Sequence, residues 1–361
     1  GTALRTPPVR VRVSPSAQNM DAHTTEQLAT PALLVDLDAL NKNMRTMSLR
    51  HPAAKLRPHT KAHKCTGIAQ LQQHYGHKTF TCATPREIIG MAAAGVGEDF
   101  LLANEVVDIE RLKKLAQIAE NARVTIAVDS QETIDAATRA GLHDVLIDVN
   151  VGLPRCGIAP ELAGRLADSA RKSGLTVRGV MGYEGHLMMV DGHDNRKQKV
   201  AESMQFLARA ASDVGGEIIS AGGTGTFDMH DDTCINELQA GSYALMDTHY
   251  AKLELPFVQS CFVLGTIISA NPQWLVIDVG LKSLGMDHGN PTVDGFDVLF
   301  CSDEHTTLKP KKDSAKQKVK VGERLRVIPA HIDPTMAMHS VAHIVRGEEL
   351  IDTWQIDLRG W

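Results

Sequence analysis

Between residues 55 and about 250 the chain alternates short apolar runs with amphipathic helical patterns, and this alternation narrows the available folds more than any other feature. Strand candidates fall at 55–61, 79–84, 100–104, 124–129, 145–150, 177–183, 217–222 and 235–240. Between them, segments such as 66–75, 85–94, 107–120, 131–140, 160–173 and 195–214 place alanine and leucine at three- and four-residue steps, with charges opposite. That spacing buries one face of a helix. Eight strand–helix units predict an α/β fold with a parallel (β/α)8 TIM-type barrel over 30–255. A doubly wound sheet is the alternative, and the short span suits it less.

A further strand, 31–37, and a helix, 38–48, precede the barrel. After residue 255 the pattern turns to Val/Ile-rich strands at 263–269, 274–279, 296–301, 324–328, 343–346 and 353–356. These predict an antiparallel β domain over 256–361, which strand 31–37 can join. Lys309, Lys311, Lys312, Lys316, Lys318 and Lys320 read as a solvated hairpin tip. Residues 1–22 are read as a disordered leader, since the first twenty hold three prolines, three arginines and no acidic residue. They resemble either the tail of an organelle transit peptide or an appended segment.

A formal charge of -5 gives no general attraction to nucleic acid or anionic membrane. The six cysteines show neither metal-type nor disulfide-type spacing, so reduced thiols and a cytoplasmic (or organellar) protein are expected.

The chemistry begins at Arg57-Pro58-His59-Thr60-Lys61-Ala62-His63-Lys64. On an extended segment His59, Lys61 and His63 share a face, with Arg57 at its start. Neighbouring cations and burial both disfavour an ammonium group, and a neutral amine can attack an aldehyde to form a Schiff base. A basic surface loop or phosphate patch is the competing reading. In a barrel, strand C-terminal ends form the active face. That rim would carry Lys61, Thr84, Asn104, Glu105, Arg155 and Tyr183. It would also carry two glycine- and hydroxyl-rich loops, 222–226 and 241–243. Such loops after strands seven and eight suit a phosphate, and with Lys61 they point to pyridoxal phosphate. In the tail, His331 and Asp333 alternate onto one face and offer half a metal site.

Taken in order, 57–64, Asn104-Glu105, Arg155-Cys156-Gly157, 222–226, 237–243, Asp303-Glu304-His305 and 331–335 resemble the D-threonine aldolase and D-serine dehydratase family. These are fold-type III pyridoxal-phosphate enzymes with the architecture of alanine racemase. The resemblance runs from about Thr30 to Gly360. It implies a homodimer, with each active site between one barrel and a neighbouring β domain. It further implies that Lys61 carries the cofactor as a Schiff base, with Arg155 near its phenolic oxygen and Tyr183 near its ring nitrogen. Gly223, Thr224, Gly225, Gly241, Ser242 and Tyr243 would cradle the phosphate, and His331 and Asp333 would hold a divalent metal. The dehydratase branch resembles His-x-Cys at that pair, whereas Asp333 supplies a hard oxygen suited to manganese or magnesium.

The resemblance therefore implies an aldehyde-lyase that cleaves small D-3-hydroxy-α-amino acids to glycine and an aldehyde. His59 and His186 are the catalytic histidine candidates, with His193 second to His186. A dehydratase, a racemase or epimerase, and a non-catalytic cofactor carrier are the competitors.

Overall fold

A computed structural model describes residues 23–311 and 319–361 of the chain. The expected leader, and with it Lys312, Lys316 and Lys318, lies outside the described residues. Lys309, Lys311 and Lys320 are exposed, as a solvated tip requires.

Seven parallel strands run in sequence order, β2 (Thr79–Cys82), β3 (Asp99–Leu102), β4 (Arg123–Val128), β5 (Asp144–Asp148), β6 (Thr176–Gly182), β7 (Ile218–Ala221) and β8 (Glu237–Leu238). Helices α2 (Thr66–His74), α3 (Pro85–Ala93), α4 (Ile109–Ile118), α5 (Gln131–Ala140), α6 (Ala163–Lys172) and α7 (His193–Val214) intervene. Local chemistry sets their starts. Thr84, Asp108 and Ser130 accept the N–H three residues on, and Pro85 fills the first position of α3, where no N–H is needed.

The expected strand at 55–61 does not form as a ladder. Leu56 bridges Leu238 and His59 bridges Thr81, both parallel. Arg57 N–H donates to Leu238 O at 2.8 Å, and Thr81 N–H donates to Pro58 O at 2.9 Å. The segment thus spans the gap between β8 and β2 and completes the ring. His59 N–H still donates to Ala240 O at 3.1 Å, and the segment ends where the chain enters a 3₁₀ turn over Thr60–Ala62.

Strand parity divides the barrel's residues. Phe80, Phe100, Leu102, Ile126 and Ile147 pack outward under the helices, whereas Leu101, Ala127, Leu146, Met181 and Ile218 form a separate inner cluster. Two residues before Leu101, the inward position is Asp99, which pairs with Arg57 at 3.0 Å and Arg178 at 3.1 Å. Glu237 holds the Arg57 Nε at 2.9 Å. Gly179 marks the bulge after Arg178; its φ is +144° and a Cβ there would meet Ile218 O at 2.0 Å.

The second sheet has nine strands. It includes β1 (Ala32–Asp36), β9 (Cys261–Ala270), β10 (Leu275–Ile277), β11 (Thr292–Val293), β12 (Phe296–Cys301), β13 (Thr306–Pro310), β14 (Arg324–Ile328), β15 (Val341–Arg346) and β16 (Glu349–Gln355). An extra β10–β9 pairing closes part of it, and only β1–β15 is parallel. Strand β1 lies between β9 and β15, so both ends of the chain build this sheet. The tail is not wholly β: α8 (Ile332–Met338) starts directly after His331. Asp333 and Pro334 fall in its first turn, where a carboxylate is favoured and a missing N–H costs nothing. Helix α1 (Leu37–Arg50) is capped by Asp36 and packs against the turn after β8. Among the described residues, no helix is long and apolar enough to cross a membrane.

Candidate active site

The strand ends and α8 open on one cleft with a volume of about 590 Å³, within the range that encloses a cofactor-sized molecule. Inward parity carries Asp144 through Leu146 to Asp148, which lines it beside His59, Lys61, Asn104, Glu105, Arg155 and Tyr183. Gly222, Gly223, Thr224, Gln239, Gly241 and Ser242 also line it, as do His249, Tyr250, His288, His331 and Asp333.

The five nitrogen-bearing side chains of 57–64 part company. Arg57 is bound by carboxylates inside the barrel, and Lys64 pairs with the fully buried Glu87. His63 is buried in the core, where its Nδ1 accepts the Cys65 N–H at 3.2 Å. The expected shared face of His59, Lys61 and His63 is therefore broken, because the turn at Thr60–Ala62 replaces strand alternation. His59 and Lys61 alone of the five reach the cleft. Among the described residues Lys61 has no ion-pair partner. Burial first, then Lys61 and Lys64, hold the His59 imidazole well below its ordinary value, so it is neutral.

Tyr183 forms the cleft's aromatic surface. Lys61 Nζ and the Arg155 guanidinium carbon each lie 5.5 Å from its ring centroid. Burial, Glu184 and Asp333 push its phenol upward, so it keeps its proton. Behind it, 3₁₀ turns Thr224–Thr226 and Ser242–Ala244 are tied together by Tyr243 N–H, which donates to Thr224 Oγ1 at 2.9 Å. Leading amides of such turns have no backbone acceptor within the turn; here Gly223 N–H ends on Thr226 Oγ1 at 3.2 Å. A Cβ at Gly241 would meet His59 O at 2.5 Å, and one at Gly223 would reach Met188 Sδ at 2.9 Å and the Tyr183 ring edge at 3.4 Å. Bare backbone is what these corners admit. Gly225 is backed by Met188, whose O a Cβ would meet at 2.5 Å. The Tyr243 side chain turns away into the core, accepting from Gln72 Nε2 at 3.1 Å, so its backbone alone belongs to this corner.

In the same cleft, His331 Nε2 and Asp333 Oδ2 stand 3.8 Å apart, and Ser242 Oγ donates to that carboxylate at 3.4 Å. Helix α8 brings the two together from its cap and first turn, not from an extended strand. Asp287 accepts from His331 Nδ1 at 2.8 and 2.9 Å. Because a carboxylate can only accept, the proton sits on Nδ1 and the Nε2 lone pair faces Asp333. His288 stacks on His331 at 3.9 Å, and His249 on His288 at 4.2 Å. Asp287, His288 and His331 also offer ligand atoms close enough for one ion.

His186 does not line the cleft. It is exposed on the turn Gly185–Leu187, which buries Leu187 instead, and its ring covers the position of a Cβ at Gly152. His193 is likewise outside, beside Asp228 at 3.0 Å. Asp303 and Glu304 pair with Lys282 on the surface, and Thr84 serves as a helix cap. Sequence reasoning missed Asp148, Gln239, His249 and Tyr250, and marked Asp287-His288 only as further polar groups of the tail. Inward parity from Asp144 would have found Asp148, whereas His249 carries no local signal.

The donor set fits pyridoxal phosphate: an amine without a carboxylate partner, a guanidinium, a half-buried aromatic face and a glycine-walled corner. Glu105 Oε1 and His249 Nδ1 are buried at the same cleft without partners. The pair His331–Asp333 fits two ligands of one divalent ion. Burial and then Glu105 push Asp148 well upward, so this carboxyl is protonated. Glu105 likewise pushes the Cys156 thiol up to about 12, which leaves it a poor metal ligand.

Residues 35–249 match the alanine racemase N-terminal domain, and residues 260–345 match a serine dehydratase domain. A D-threonine aldolase of Arthrobacter sp. is 32% identical, over 97% of each chain. A 3-hydroxy-D-aspartate aldolase of Paracoccus denitrificans is 30% identical, over 96% of this chain and 95% of that one. The crystal structure of D-threonine aldolase from Filomicrobium marinum superposes with a TM-score of 0.87 at 33% identity, covering 94% of this chain and 98% of that one. The chain therefore belongs to the D-threonine aldolase and D-serine dehydratase family, lyases built on the pyridoxal-phosphate-dependent alanine racemase fold with a serine dehydratase domain appended.

Proposed function

We propose that this protein cleaves D-3-hydroxy-α-amino acids between Cα and Cβ, giving glycine and an aldehyde. Pyridoxal phosphate would be tied to Lys61, and a divalent ion, manganese or magnesium, would be held by His331 and Asp333. One observation carries the reading: Lys61 and the His331–Asp333 pair face into the same cleft. The two relatives named above that act on D-threonine and 3-hydroxy-D-aspartate support the substrate class.

Lys61, Arg155 and Tyr183, with the turns led by Gly223 and Gly241, would hold the cofactor. When bound, it supplies an electron sink for the pair left at Cα. The chain's own groups do the rest. His331 Nε2 and Asp333 orient the substrate's β-oxygen. Neutral His59 lines the cleft and would take the β-hydroxyl proton at Nδ1, the nitrogen that otherwise accepts the Lys61 N–H at 3.4 Å. As that proton leaves, the oxygen's electron pair forms the carbonyl, the Cα–Cβ bond breaks and the aldehyde departs. The proton taken by His59 is returned to Cα, directly or through water, and completes glycine. The protonated Tyr183 and Asp148 add no negative charge to the cleft.

The test is a panel of D-3-hydroxy amino acids (β-methyl, β-aryl and β-carboxylate) incubated with protein, cofactor and manganese. Glycine plus aldehyde supports the proposal. Keto acid plus ammonia would mean a dehydratase, and deuterium exchange at Cα without cleavage a racemase. Exhaustive chelation should stop cleavage while bound cofactor absorbance persists. The assembly is proposed to be a homodimer, which light scattering on the eluting protein would check.

A further inference from the structure

The glycine turn at the proposed phosphate corner rests on a carboxylate that never reaches the cleft. Glu184 follows Tyr183 directly and is fully buried. Its Oε2 accepts the Gly222 N–H at 3.1 Å. Its Oε1 accepts the Thr226 hydroxyl at 2.8 Å and lies 3.2 Å from His230 Nε2. Thr226 Oγ1 in turn accepts the Gly223 N–H at 3.2 Å. Two consecutive loop amides therefore end on one carboxylate, the first directly and the second through Thr226. Gly222 is held at φ +84°, and a Cβ there would meet His230 Nε2 at 3.0 Å.

We propose that Glu184, Thr226 and His230 are positioning residues that set the shape of the glycine turn for a phosphate group. They couple it to the Tyr183 ring one residue away. A buried, charge-bearing network specifies a single geometry because each lost partner leaves a polar group unsatisfied. This inference rests on the reading that the turn meets the phosphate of pyridoxal phosphate.

The experiment compares dissociation constants of pyridoxal phosphate and phosphate-free pyridoxal from the apoprotein, read by absorbance. Wild type should favour the phosphorylated form. Thr226→Val, which keeps the shape but removes the hydroxyl, should weaken pyridoxal phosphate by roughly tenfold or more and leave pyridoxal unchanged. Thr226→Ser should restore the preference. A Thr226→Val protein with wild-type discrimination overturns the inference, as does equal weakening of both ligands. If wild type shows no preference, the parent reading of the turn fails instead. Should Thr226→Val not fold, Glu184→Gln takes its place, and collapse of both overturns the inference, because the network then supports the fold as a whole.

Discussion

Asp287 and His331 are joined through the imidazole Nδ1 at 2.8 Å, which turns the opposite ring nitrogen toward Asp333. A carboxylate behind a metal-ligating histidine fixes its tautomer and raises its basicity. Replacing it should weaken metal binding while leaving His331 and Asp333 in place. Asp287→Ala is expected to lower manganese affinity by roughly 10–100-fold, measured by electron paramagnetic resonance titration of free manganese. Unchanged affinity would mean that the stacked His288 alone orients the ring.

Lys61 and His59 are separable. Lys61→Ala should abolish both the absorbance of covalently bound cofactor and turnover. His59→Gln should keep the absorbance and lower kcat by about 10²–10⁴-fold, the usual contribution of a proton-transferring group. His249, whose Nδ1 is buried without a partner, is the control. If His249→Gln loses more kcat than His59→Gln, the proton goes to the imidazole stack instead.

His63 makes stability depend on acid. Burial lowers its imidazole from 6.5 to about 4. Below pH 6.5 the unfolded chain takes up a proton that the folded chain refuses until about pH 4. Stability is thus fully present above pH 6.5 and declines as pH falls toward 4, at up to about 1.4 kcal/mol per pH unit for one proton. Urea midpoints measured across that window should fall less steeply in His63→Gln, whatever its absolute stability. A parallel slope would place the acid sensitivity in other buried histidines, such as His59.

Arg57 closes the barrel at the end opposite the cleft. It is 2% exposed and faces both Asp99 and Glu237. Removing one partner of a buried ion pair leaves a charge unmatched, at a cost of about 3–5 kcal/mol. Arg57→Met should lower Tm markedly, and adding Glu237→Gln should recover part of the loss. No recovery would show that Asp99 is the partner that matters, although Arg178 also holds it.

Much of the site was legible because strand alternation and helix periodicity are properties of neighbouring residues. The barrel's strands and helices, Lys61 and the two glycine turns follow from local pattern, and the order of the motifs carried the family resemblance, whereas His331 and Asp333 meet through the cap and first turn of α8 and not through the strand alternation expected of them. The same logic misread His63, since alternation ends where the turn at Thr60–Ala62 interrupts the strand. It also misjudged His186, whose direction depends on which side of a short turn buries Leu187.

The chain's sequence by itself determined which residues alternate, which turn requires glycine and where an amine stands among histidines, because covalent geometry sets these over a few residues. Only tertiary structure decided that Arg57 and Lys64 would be neutralised away from the cleft while Lys61 was left without a carboxylate. Packing alone also stacked His249, His288 and His331 and set Glu184 beneath a loop about forty residues away. Those contacts arise when the ring closes and distant segments exclude water together, and a local pattern cannot encode which of them will meet.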